Sequence, residues 1–385
     1  MQRGQNKVSN AMDKKRIGIL TFSYSNNPGS VMQAHALQNT LSRICPDAEV
    51  SLINYQKTHS GKPLIGIHVF TRPIRSWTPK KVIRWTIAML IHPIRMKKYK
   101  RFFNRHYNGY PTREITRDDL AALNRTYDLF VVGSDQVWNF SSPQVDATYL
   151  LDFVEDDTKK VAYAASFGQA DISDMKTDAI KQWLPHFREI AVREQESIDT
   201  VRELAGKTAE WVLDPSLLLD KDEYSAIAVK PKEKKYVFLY YRHESPELEA
   251  FAEKMASHFG LELVRVFRQF KCAKNGKPVQ TIGPEEWLGY MENAEYVVTN
   301  SFHGICFSLI FEKEFFVSAI HGEREATNTR ISNILAQFDL SDRSADSVTD
   351  FDAMPRIDYQ AVNQKIAQRR EHSMDYLKKA AKKSK

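Results

Sequence analysis

The chain has 385 residues, of which 42% are hydrophobic and 27% charged, and its formal charge is +7. A chain of this length exceeds one ordinary hydrophobic core and predicts two domains, while the composition excludes a disordered protein. The positive balance favours an anionic partner, which would be a phosphorylated small molecule, an anionic membrane surface or nucleic acid.

Several features of the sequence indicate a cytoplasmic protein. The three cysteines, Cys45, Cys272 and Cys306, show neither metal-ligand spacing nor a disulfide framework, as expected in a reducing compartment. The polar N-terminus up to Asp13 lacks the apolar core of a signal peptide. No apolar run reaches the length of about 18 residues that predicts a membrane span. The basic residues form no recognised nucleic-acid motif, so we expect no nucleic-acid partner.

The N-terminal half begins like a doubly wound α/β unit. Residues 16–22 predict a strand, residues 23–30 a loop, and the sequence from Val31 a helix. Residues 50–54 predict the next strand. The loop lacks the full glycine pattern of a dinucleotide fingerprint, so a nicotinamide cofactor is not predicted.

Residues 57–112 form a basic insertion that is rich in Lys, Arg, Trp and His. Within it, the apolar stretch Val82–Ile91 predicts a helix and is followed by the basic residues Arg95, Lys97, Lys98, Lys100 and Arg101. Two interpretations are open. The helix could rest on a membrane surface that carries anionic lipids, or it could pack on its own domain.

Polar residues follow the later strands of this half. A buried strand over residues 127–133 ends at Ser134 and Asp135, and the strand over residues 189–192 ends at Arg193. In open α/β sheets, ligands bind at the carboxyl ends of the strands. Asp135 therefore either binds a sugar hydroxyl or caps the following turn.

A second α/β series begins near residue 234. We predict an N-terminal Rossmann-like domain over residues 14–225 and a C-terminal Rossmann-like domain over residues 234–345. We expect a final helix within residues 355–385 to pack back on the first domain. Two doubly wound halves imply a cleft that faces the carboxyl edges of both sheets, which suits transfer of a group between two bound substrates.

The stretch Glu295–Phe311 carries the clearest local signal for a site. Its apolar start predicts a strand, Thr299–Ser301 suit a helix N-cap, and His303 then lies in the first turn of a helix. The free N–H groups at such a helix start favour an anion, and a histidine there can be tuned for proton transfer. The alternative is a capped, solvated histidine in an ordinary strand-to-helix loop.

Six motifs in this order resemble the polysaccharide pyruvyl transferase family over roughly residues 16–340. They are Asn26–Leu37, Val131–Trp138, Tyr163–Gly168, Val192–Ser197, Val212–Leu218 and Val298–Gly304. The resemblance implies a fold similar to the glycosyltransferase-B type, with two Rossmann-like domains facing a cleft. It also implies transfer of the pyruvyl group of phosphoenolpyruvate onto two hydroxyls of a sugar, which forms a ketal and releases phosphate. Phosphoenolpyruvate is then a co-substrate, and neither a cofactor nor a metal is implied.

The resemblance implies roles for individual residues. His303 matches the histidine proposed as acid/base, and Arg193 matches an arginine that would hold the anionic groups of the donor. Many members carry an arginine where this chain has Ser301, so we expect donor binding to use another cation, with Arg330, in the loop after the next strand, as the candidate. Many members also carry Gly-Asp where this chain has Gly29-Ser30, so a carboxylate expected near the acceptor is missing here.

The predicted site divides between the two domains. We place the acceptor on the N-terminal domain, with Ser134, Asp135, Asn26 and Gln33 as contacts. We place the donor on the C-terminal side, with Arg193, Arg330, Asn300 and Ser301 as contacts and His303 as the catalytic residue. The alternatives are a structural ion pair of Arg193 with Glu194 or Glu196, and a surface position for Arg330.

Rival functions stay open at this point. A nucleotide-sugar glycosyltransferase of the same fold would also use a cleft, a helix start and basic residues. A non-catalytic binding subunit of a polysaccharide assembly complex is a third reading. The expected partners of a pyruvyl transferase are phosphoenolpyruvate and a sugar acceptor, with or without a lipid carrier. A peripheral contact with the inner membrane surface is left open.

Overall fold

The computed structural model describes residues 14–382, except residues 57, 60–61, 64–78, 111, 143–144, 170, 174, 176, 243–244, 267–276 and 320–327. For residues 58–59, 62–63 and 79–89 it describes the backbone. The strands are β1 (Lys15–Leu20), β2 (Ala48–Leu52), β3 (Thr58–His59), β4 (Lys62–Pro63), β5 (Leu129–Val132), β6 (Lys160–Ala165), β7 (Glu189–Val192), β8 (Glu210–Trp211), β9 (Tyr236–Tyr240), β10 (Glu262–Val266), β11 (Lys277–Val279), β12 (Tyr296–Thr299) and β13 (Glu314–Val317).

The helices lie between these strands and after them. They are α1 (Pro28–Ile44), α2 (Pro79–His106), α3 (Asp178–Trp183), α4 (Ser197–Ala205), α5 (Lys221–Ser225), α6 (Pro246–His258), α7 (Pro284–Asn293), α8 (Phe302–Ile310), α9 (Asn328–Gln337) and α10 (Tyr359–Ala381). Helix α1 begins at Pro28, three residues before the predicted start, because proline is well suited to the first helical position. Gly29 and Ser30 therefore belong to the first turn of α1.

Two parallel sheets form the two domains. The N-terminal sheet has the strand order β2-β1-β5-β6-β7-β8, and the C-terminal sheet has the order β11-β10-β9-β12-β13. Their central strands are fully buried, as in parallel sheets that helices cover on both faces. The strand order reverses between β1 and β5 in the first sheet and between β9 and β12 in the second. The predicted pair of doubly wound, Rossmann-like domains is confirmed.

A continuous apolar core joins the two sheets. It includes Ile17 of β1, Leu37 of α1, Trp287 of α7, Ile305 of α8 and Phe238 of β9, all fully buried. Helix α1 of the first domain and helices α7 and α8 of the second thus share one core. Helix α1 contacts both α7 and α8, and Gly29 in its first turn lies against His303 in the first turn of α8.

Helix α10 returns from the second domain to the first. The Tyr376 hydroxyl donates to the Ala162 carbonyl of β6 at 2.7 Å, and the Leu213 amide donates to the Ser373 hydroxyl at 2.9 Å. Arg370 donates to the Leu217 carbonyl at 2.8 Å. The C-terminal part of the last helix therefore packs on the N-terminal domain, whereas the Tyr359 hydroxyl at its start donates to the Ser308 and Lys313 carbonyls of the second domain.

The second half of α2 bridges the two domains. The Tyr107 hydroxyl, just after α2, donates to the Ser23 carbonyl of the first domain at 2.9 Å. On the other side, Glu285 of α7 accepts from Arg101 at 2.7 Å and from Arg105 at 3.3 Å. The described part of the insertion thus packs on both domains, rather than on its own domain alone. The alternative of a membrane contact remains a prediction. Among the described residues, no helix combines the length and apolarity needed to cross a bilayer.

Replacement of Glu285 tests this bridge. Glu285→Ala removes a carboxylate that is 4% exposed and that Arg101 and Arg105 approach. We expect a loss of about 1–3 kcal/mol in the free energy of unfolding, because the acceptor of several charge-assisted bonds is deleted. Urea denaturation measures the free energy of unfolding. Glu49→Ala is the control, since Glu49 pairs with Arg16 at 3.8 Å on an exposed surface. This substitution should lower the free energy of unfolding by under about 0.5 kcal/mol. Equal losses in the two variants would contradict the bridging role.

Candidate active site between the two domains

The first turns of α1 and α8 meet where the two domains face each other. A Cβ added at Gly29 would lie 2.5 Å from Cβ and Cγ of His303. A Cβ added at Gly304 would lie 2.3 Å from the Thr299 hydroxyl oxygen. Both glycines thus permit a close approach that a larger residue would block. The His303 side chain is positioned by both domains.

His303 is buried and has an unpartnered ring nitrogen. The residue is 6% exposed, and its Nε2 lies 3.9 Å from Oδ2 of Asp214, beyond hydrogen-bond distance. Nε2 has no hydrogen-bond partner among the described residues. Burial lowers the pKa of His303; the carboxylates of Asp214 and Asp135 raise it, but the net shift is downward. The imidazole is therefore neutral near pH 7 and can accept a proton. The alternative of a solvated histidine is excluded by this burial.

Asp214 is a buried carboxylate that bonds to first-domain residues and lies close to His303 of the second domain. It follows β8, and its Oδ2 accepts from Ser134 Oγ and from Arg193 Nη1, each at 3.1 Å. Its Oδ1 accepts from the Ser216 hydroxyl at 2.6 Å. Asp214 was not identified from the sequence as a site residue. Its position at the end of a strand, within one of the six motifs, was the signal that could have identified it.

Arg193 lies inside the charged network rather than on its surface. Its Nε donates to Glu194 at 3.0 Å and its Nη1 to Asp214 at 3.1 Å, and the side chain is 2% exposed. The guanidinium carbon lies 4.1 Å from the centroid of the Phe302 ring, which belongs to the other domain. Burial lowers the pKa of Arg193, but Glu194, Asp214 and Asp135 outweigh it and raise the pKa. The structural pairing with Glu194 is therefore present, and Nη2 is left without a partner among the described residues.

Asp135 is a buried carboxylate held in a fixed orientation. It follows the cis Gly133-Ser134 peptide bond and has a φ of 71°. Its Oδ2 accepts from the Ser30 hydroxyl at 2.6 Å, and its Oδ1 accepts from the Gln136 amide at 2.9 Å. Burial raises the pKa of Asp135, but His303 and then Arg193 outweigh it and lower the pKa to about 2. Ser30 thus supplies a donor to this carboxylate, where an aspartate would repel it.

The other predicted acceptor contacts differ in accessibility. Ser134 and Gln33 are fully buried. The Ser134 hydroxyl donates to the Ala164 carbonyl at 2.7 Å, and Gln33 donates to the Thr21 hydroxyl at 2.9 Å. Both lie beneath the site, and Asn26 is partly exposed in the loop before α1. Acceptor contacts of these three residues stay predictions.

The predicted donor residues of the β12–α8 joint have local structural roles. Ser301 is the N-cap of α8, and its hydroxyl accepts from the Gly304 amide at 3.3 Å. The Asn300 side-chain oxygen accepts from the Arg242 amide at 2.9 Å. Both side chains are buried. These bonds do not show whether either side chain contacts the donor substrate. Donor contacts of Asn300 and Ser301 stay predictions.

Arg330 joins this network from the first turn of α9, not from a loop as expected. With the Gln136 amide oxygen turned toward it, Nη1 and Nη2 donate at 2.5 and 2.7 Å. Burial and then the Arg193 charge lower the pKa of Arg330 to about 10. Arg330 is half-buried and paired with Gln136, so it is not a free surface charge. Arg242, which follows β9, adds to the positive potential at Arg330 and was not identified from the sequence.

The described residues contain no group of three or more His, Cys, Asp or Glu side chains that could hold a metal ion. What they contain is a neutral histidine, two carboxylates and two arginines between two facing sheet edges. This arrangement defines a two-domain α/β protein with a candidate site between the domains, whose groups are of the types that can transfer a proton and bind an anion.

The particular family follows from sequence comparison. The model of the polysaccharide pyruvyl transferase family matches residues 27–322, and the chain belongs to this family. The resemblance inferred from the six motifs is confirmed. No curated protein matches the chain at a significant level.

The solved structures that align with this chain share only about a tenth of its sequence. Arabidopsis thaliana UGT89C1 complexed with quercetin has a TM-score of 0.43 and 10% identity, over 95% of this chain and 93% of that chain. UDP-GlcNAc 2-epimerase from Neisseria meningitidis, bound to UDP-GlcNAc, has a TM-score of 0.44 and 9% identity, over 95% and 94% of the two chains. UDP-GlcNAc 2-epimerase from Methanocaldococcus jannaschii has a TM-score of 0.42 and 10% identity, over 83% and 91%.

A substitution at Gly29 tests the contact between the two helix starts. Gly29→Ala places a methyl group 2.5 Å from His303, so His303 must move. A displacement of about 1 Å can cost on the order of 10²-fold in rate, and we expect a loss of that size with the fold retained. Phosphate release from phosphoenolpyruvate in the presence of a sugar measures the rate, and circular dichroism measures the retention of the fold. Gly206→Asn is the control, because an added Cβ there has nothing within 4 Å and a φ of +63° suits asparagine. Full activity of Gly29→Ala would contradict the contact.

The pH dependence of stability tests the buried, neutral state of His303. A histidine with a lowered folded pKa takes up its proton more readily in the unfolded chain, so stability falls as the pH drops below the ordinary pKa of 6.5. His303→Gln removes this contribution. We expect the variant to lose less of its free energy of unfolding than the wild type between pH 7.5 and 5. Urea denaturation at both values measures it, and a larger loss in the variant would contradict the lowered pKa.

Proposed function

We propose that the protein transfers the pyruvyl group of phosphoenolpyruvate to a sugar, forming a pyruvate ketal across two hydroxyls and releasing phosphate. Membership of the polysaccharide pyruvyl transferase family supports transferase chemistry. The observation that carries the proposal is the unpartnered Nε2 of the buried His303, held beside Asp135 and Asp214 and close to two arginines.

The reaction needs a proton at one carbon and a base at one hydroxyl. A sugar hydroxyl adds to C2 of phosphoenolpyruvate, and its proton ends on the methylene carbon, which becomes the methyl group of the ketal. A second hydroxyl then closes the ketal at C2, the bond from C2 to the phosphate oxygen breaks, and that hydroxyl proton leaves on phosphate. The charges of the donor, −3, equal those of the ketal carboxylate and hydrogen phosphate together.

His303 can serve both proton transfers of the first step. Its neutral imidazole accepts the proton of the attacking hydroxyl and delivers it to the methylene carbon. An anionic donor beside it favours the imidazolium form, so the ring can hold the proton until it is delivered to the methylene carbon. Asp135 and Asp214 would stabilise that cation, since both raise the pKa of His303.

The donor's negative charge is held by arginines from both domains in this proposal. Ser301 offers no charge, so Arg330 and Arg242 of the second domain would bind the phosphate and carboxylate groups. Arg193 would contribute its free Nη2, while its other nitrogens stay bound to Glu194 and Asp214. No residue of this set needs a metal ion for its proposed role.

The acceptor in this proposal is a sugar of a cell-surface polysaccharide or of its lipid-linked precursor, met at the cytoplasmic face of the inner membrane. Two features of α2 support a peripheral contact there. Leu90 is 69% exposed and Ile94 is 53% exposed, and residues 79–106 carry basic but no acidic side chains. Apolar and basic residues together suit a surface of anionic lipids.

Incubation with phosphoenolpyruvate and a panel of galactosyl, glucosyl and mannosyl acceptors tests the function. We expect phosphate release that depends on the sugar, together with the mass gain of a ketal on that sugar. Consumption of a nucleotide sugar instead would assign a glycosyltransferase. Binding of sugar with no turnover of either donor would assign a non-catalytic subunit.

Replacement of His303 tests its role in proton transfer. We expect His303→Gln to lower the rate by about 10²–10⁴-fold, the usual contribution of general acid–base catalysis, while the protein stays folded. Sugar-dependent phosphate release measures the rate, with His372→Gln as the control, because the His372 side chain on α10 is 51% exposed and pairs with Glu210 on the surface. Wild-type turnover in His303→Gln would remove this residue from the mechanism.

A further inference from the structure

A chain of hydrogen bonds runs from the second domain to the carboxylate of Asp135. The Tyr240 hydroxyl, at the end of β9, donates to Oδ1 of Asn27 at 3.3 Å. Nδ2 of Asn27 donates to the Ser30 oxygen at 2.6 Å, and the Ser30 hydroxyl donates to Oδ2 of Asp135 at 2.6 Å. Asn27 is half-buried and the other three residues are buried. The two domains thus act together on this carboxylate.

The donors of this chain all point toward Asp135. The amide nitrogen of Asn27 only donates, so the Ser30 oxygen accepts from it, and the single Ser30 proton is left for the carboxylate. The Tyr240 hydroxyl donates to the amide oxygen of Asn27 and so fixes which end of the amide faces Ser30. The second domain therefore helps to direct the Ser30 proton.

Asn27 does not have the usual role of an asparagine at its position. It is the N-cap of α1, where an asparagine side chain commonly accepts from an amide of the first turn. Its side chain makes no such bond and instead contacts Tyr240 and Ser30. Helix capping thus does not explain the contacts of this side chain.

Asp135 is bonded on both oxygens without a bond to His303. Oδ2 accepts from Ser30 and Oδ1 from the Gln136 amide. Burial raises the pKa of Asp135, and His303 is the charged group that lowers it most. In the described part of the chain, neither an ion pair nor a hydrogen bond joins the two side chains, whereas Asp214 approaches His303 to 3.9 Å. Neutral donors thus occupy the carboxylate that lies near the histidine.

We propose that Asn27 and Ser30 are positioning residues that hold the Asp135 carboxylate back from a hydrogen bond with His303, so that the ring stays available to the substrates. The inference rests on the proposed function, in which His303 first accepts a proton and then delivers it. A carboxylate bonded to the ring would favour its cation before the substrates arrive. Held by neutral donors, the carboxylate still stabilises the cation once it forms.

Three other charged groups face His303, and Ser30 bonds to none of them within the described residues. They are Asp214, Arg193 and Arg330. Burial lowers the pKa of His303 most strongly. Asp214 and Asp135 raise this pKa, whereas the two arginines lower it. Removal of the Ser30 hydroxyl therefore acts on His303 through Asp135.

Titration of the His303 ring in Ser30→Ala tests the inference. In ¹⁵N-histidine-labelled protein without phosphoenolpyruvate or sugar, the ring should titrate about one pH unit higher than in the wild type, because Asp135 loses its donor and can bond the ring. Ser225→Ala is the matched control, since it also removes a serine that donates to a carboxylate at 2.6 Å, that of Glu292. It should titrate like the wild type. An unchanged or lower pKa in Ser30→Ala would overturn the inference.

A second variant keeps the test open if Ser30→Ala folds poorly. Asn27→Ala removes the donor to the Ser30 oxygen, so the hydroxyl can turn and its bond to Asp135 weakens. We expect a rise in the His303 pKa that is smaller than in Ser30→Ala. Asn363→Ala is the control, because it removes an exposed amide that donates to Glu312 at 2.7 Å. The same His303 pKa in Asn27→Ala and in the wild type would also contradict the inference.

The pH profile of sugar-dependent phosphate release adds a measurement that a purely structural role would not move. The acid limb of kcat/KM should lie about one pH unit higher in Ser30→Ala, because His303 must be neutral to accept the first proton. A loss by the same factor at every pH would assign Ser30 a structural role and reject its positioning role.

The two proposals fail in different ways. Turnover of phosphoenolpyruvate together with an unchanged ring titration in Ser30→Ala would reject the positioning role and leave the proposed function standing. A raised ring titration without any turnover of phosphoenolpyruvate would reject the proposed function, because the titration requires neither substrate.

Discussion

The buried guanidinium of Arg193 is the interaction on which the site depends. Removing an ion from water costs several kcal/mol unless partners replace the lost hydration. Here the partners are Glu194 at 3.0 Å and Asp214 at 3.1 Å, and the Phe302 ring of the other domain covers the guanidinium. The charged network is thus complete only when the second domain is docked.

The state of His303 follows from that network. Burial lowers the pKa of His303 most strongly. Asp214 and Asp135 raise this pKa, whereas Arg193 and Arg330 lower it. The net shift is downward, so the imidazole is neutral near pH 7. A neutral imidazole with a free nitrogen is a base, and an anionic donor nearby favours its protonated form, which is the species that gives up the proton. In the proposed mechanism, this one histidine relays a proton from hydroxyl to carbon.

Much of the fold could be predicted from the sequence, because alternation of buried strands and helices is a local pattern. The strands that end at Asp135, Arg193 and the β12–α8 joint were located in this way, and parallel pairing then brings their ends to one edge. The position of His303 at a helix start followed from the residues that cap that helix, Thr299–Ser301. Resemblance to the family added what the local pattern could not, namely its chemistry.

The partners of these residues could not be predicted, because they lie far apart in the chain. Asp214 resembles an ordinary turn residue until the fold places it against Arg193 and Ser134. Arg242 becomes relevant only when its strand stands beside β12. The basic insertion suggested a membrane or its own domain, whereas Glu285, which lies about 180 residues further along the chain, determines where it packs.

The ring resonances of His303 test the account most directly. In protein labelled with ¹⁵N-histidine, and with the His303 signals identified by their loss in His303→Gln, the ring should be neutral at pH 7. Its pKa should lie below the ordinary value of 6.5 and should rise when phosphoenolpyruvate is added. A cationic ring at pH 7 in the free protein, or a pKa that does not respond to phosphoenolpyruvate, would contradict the account.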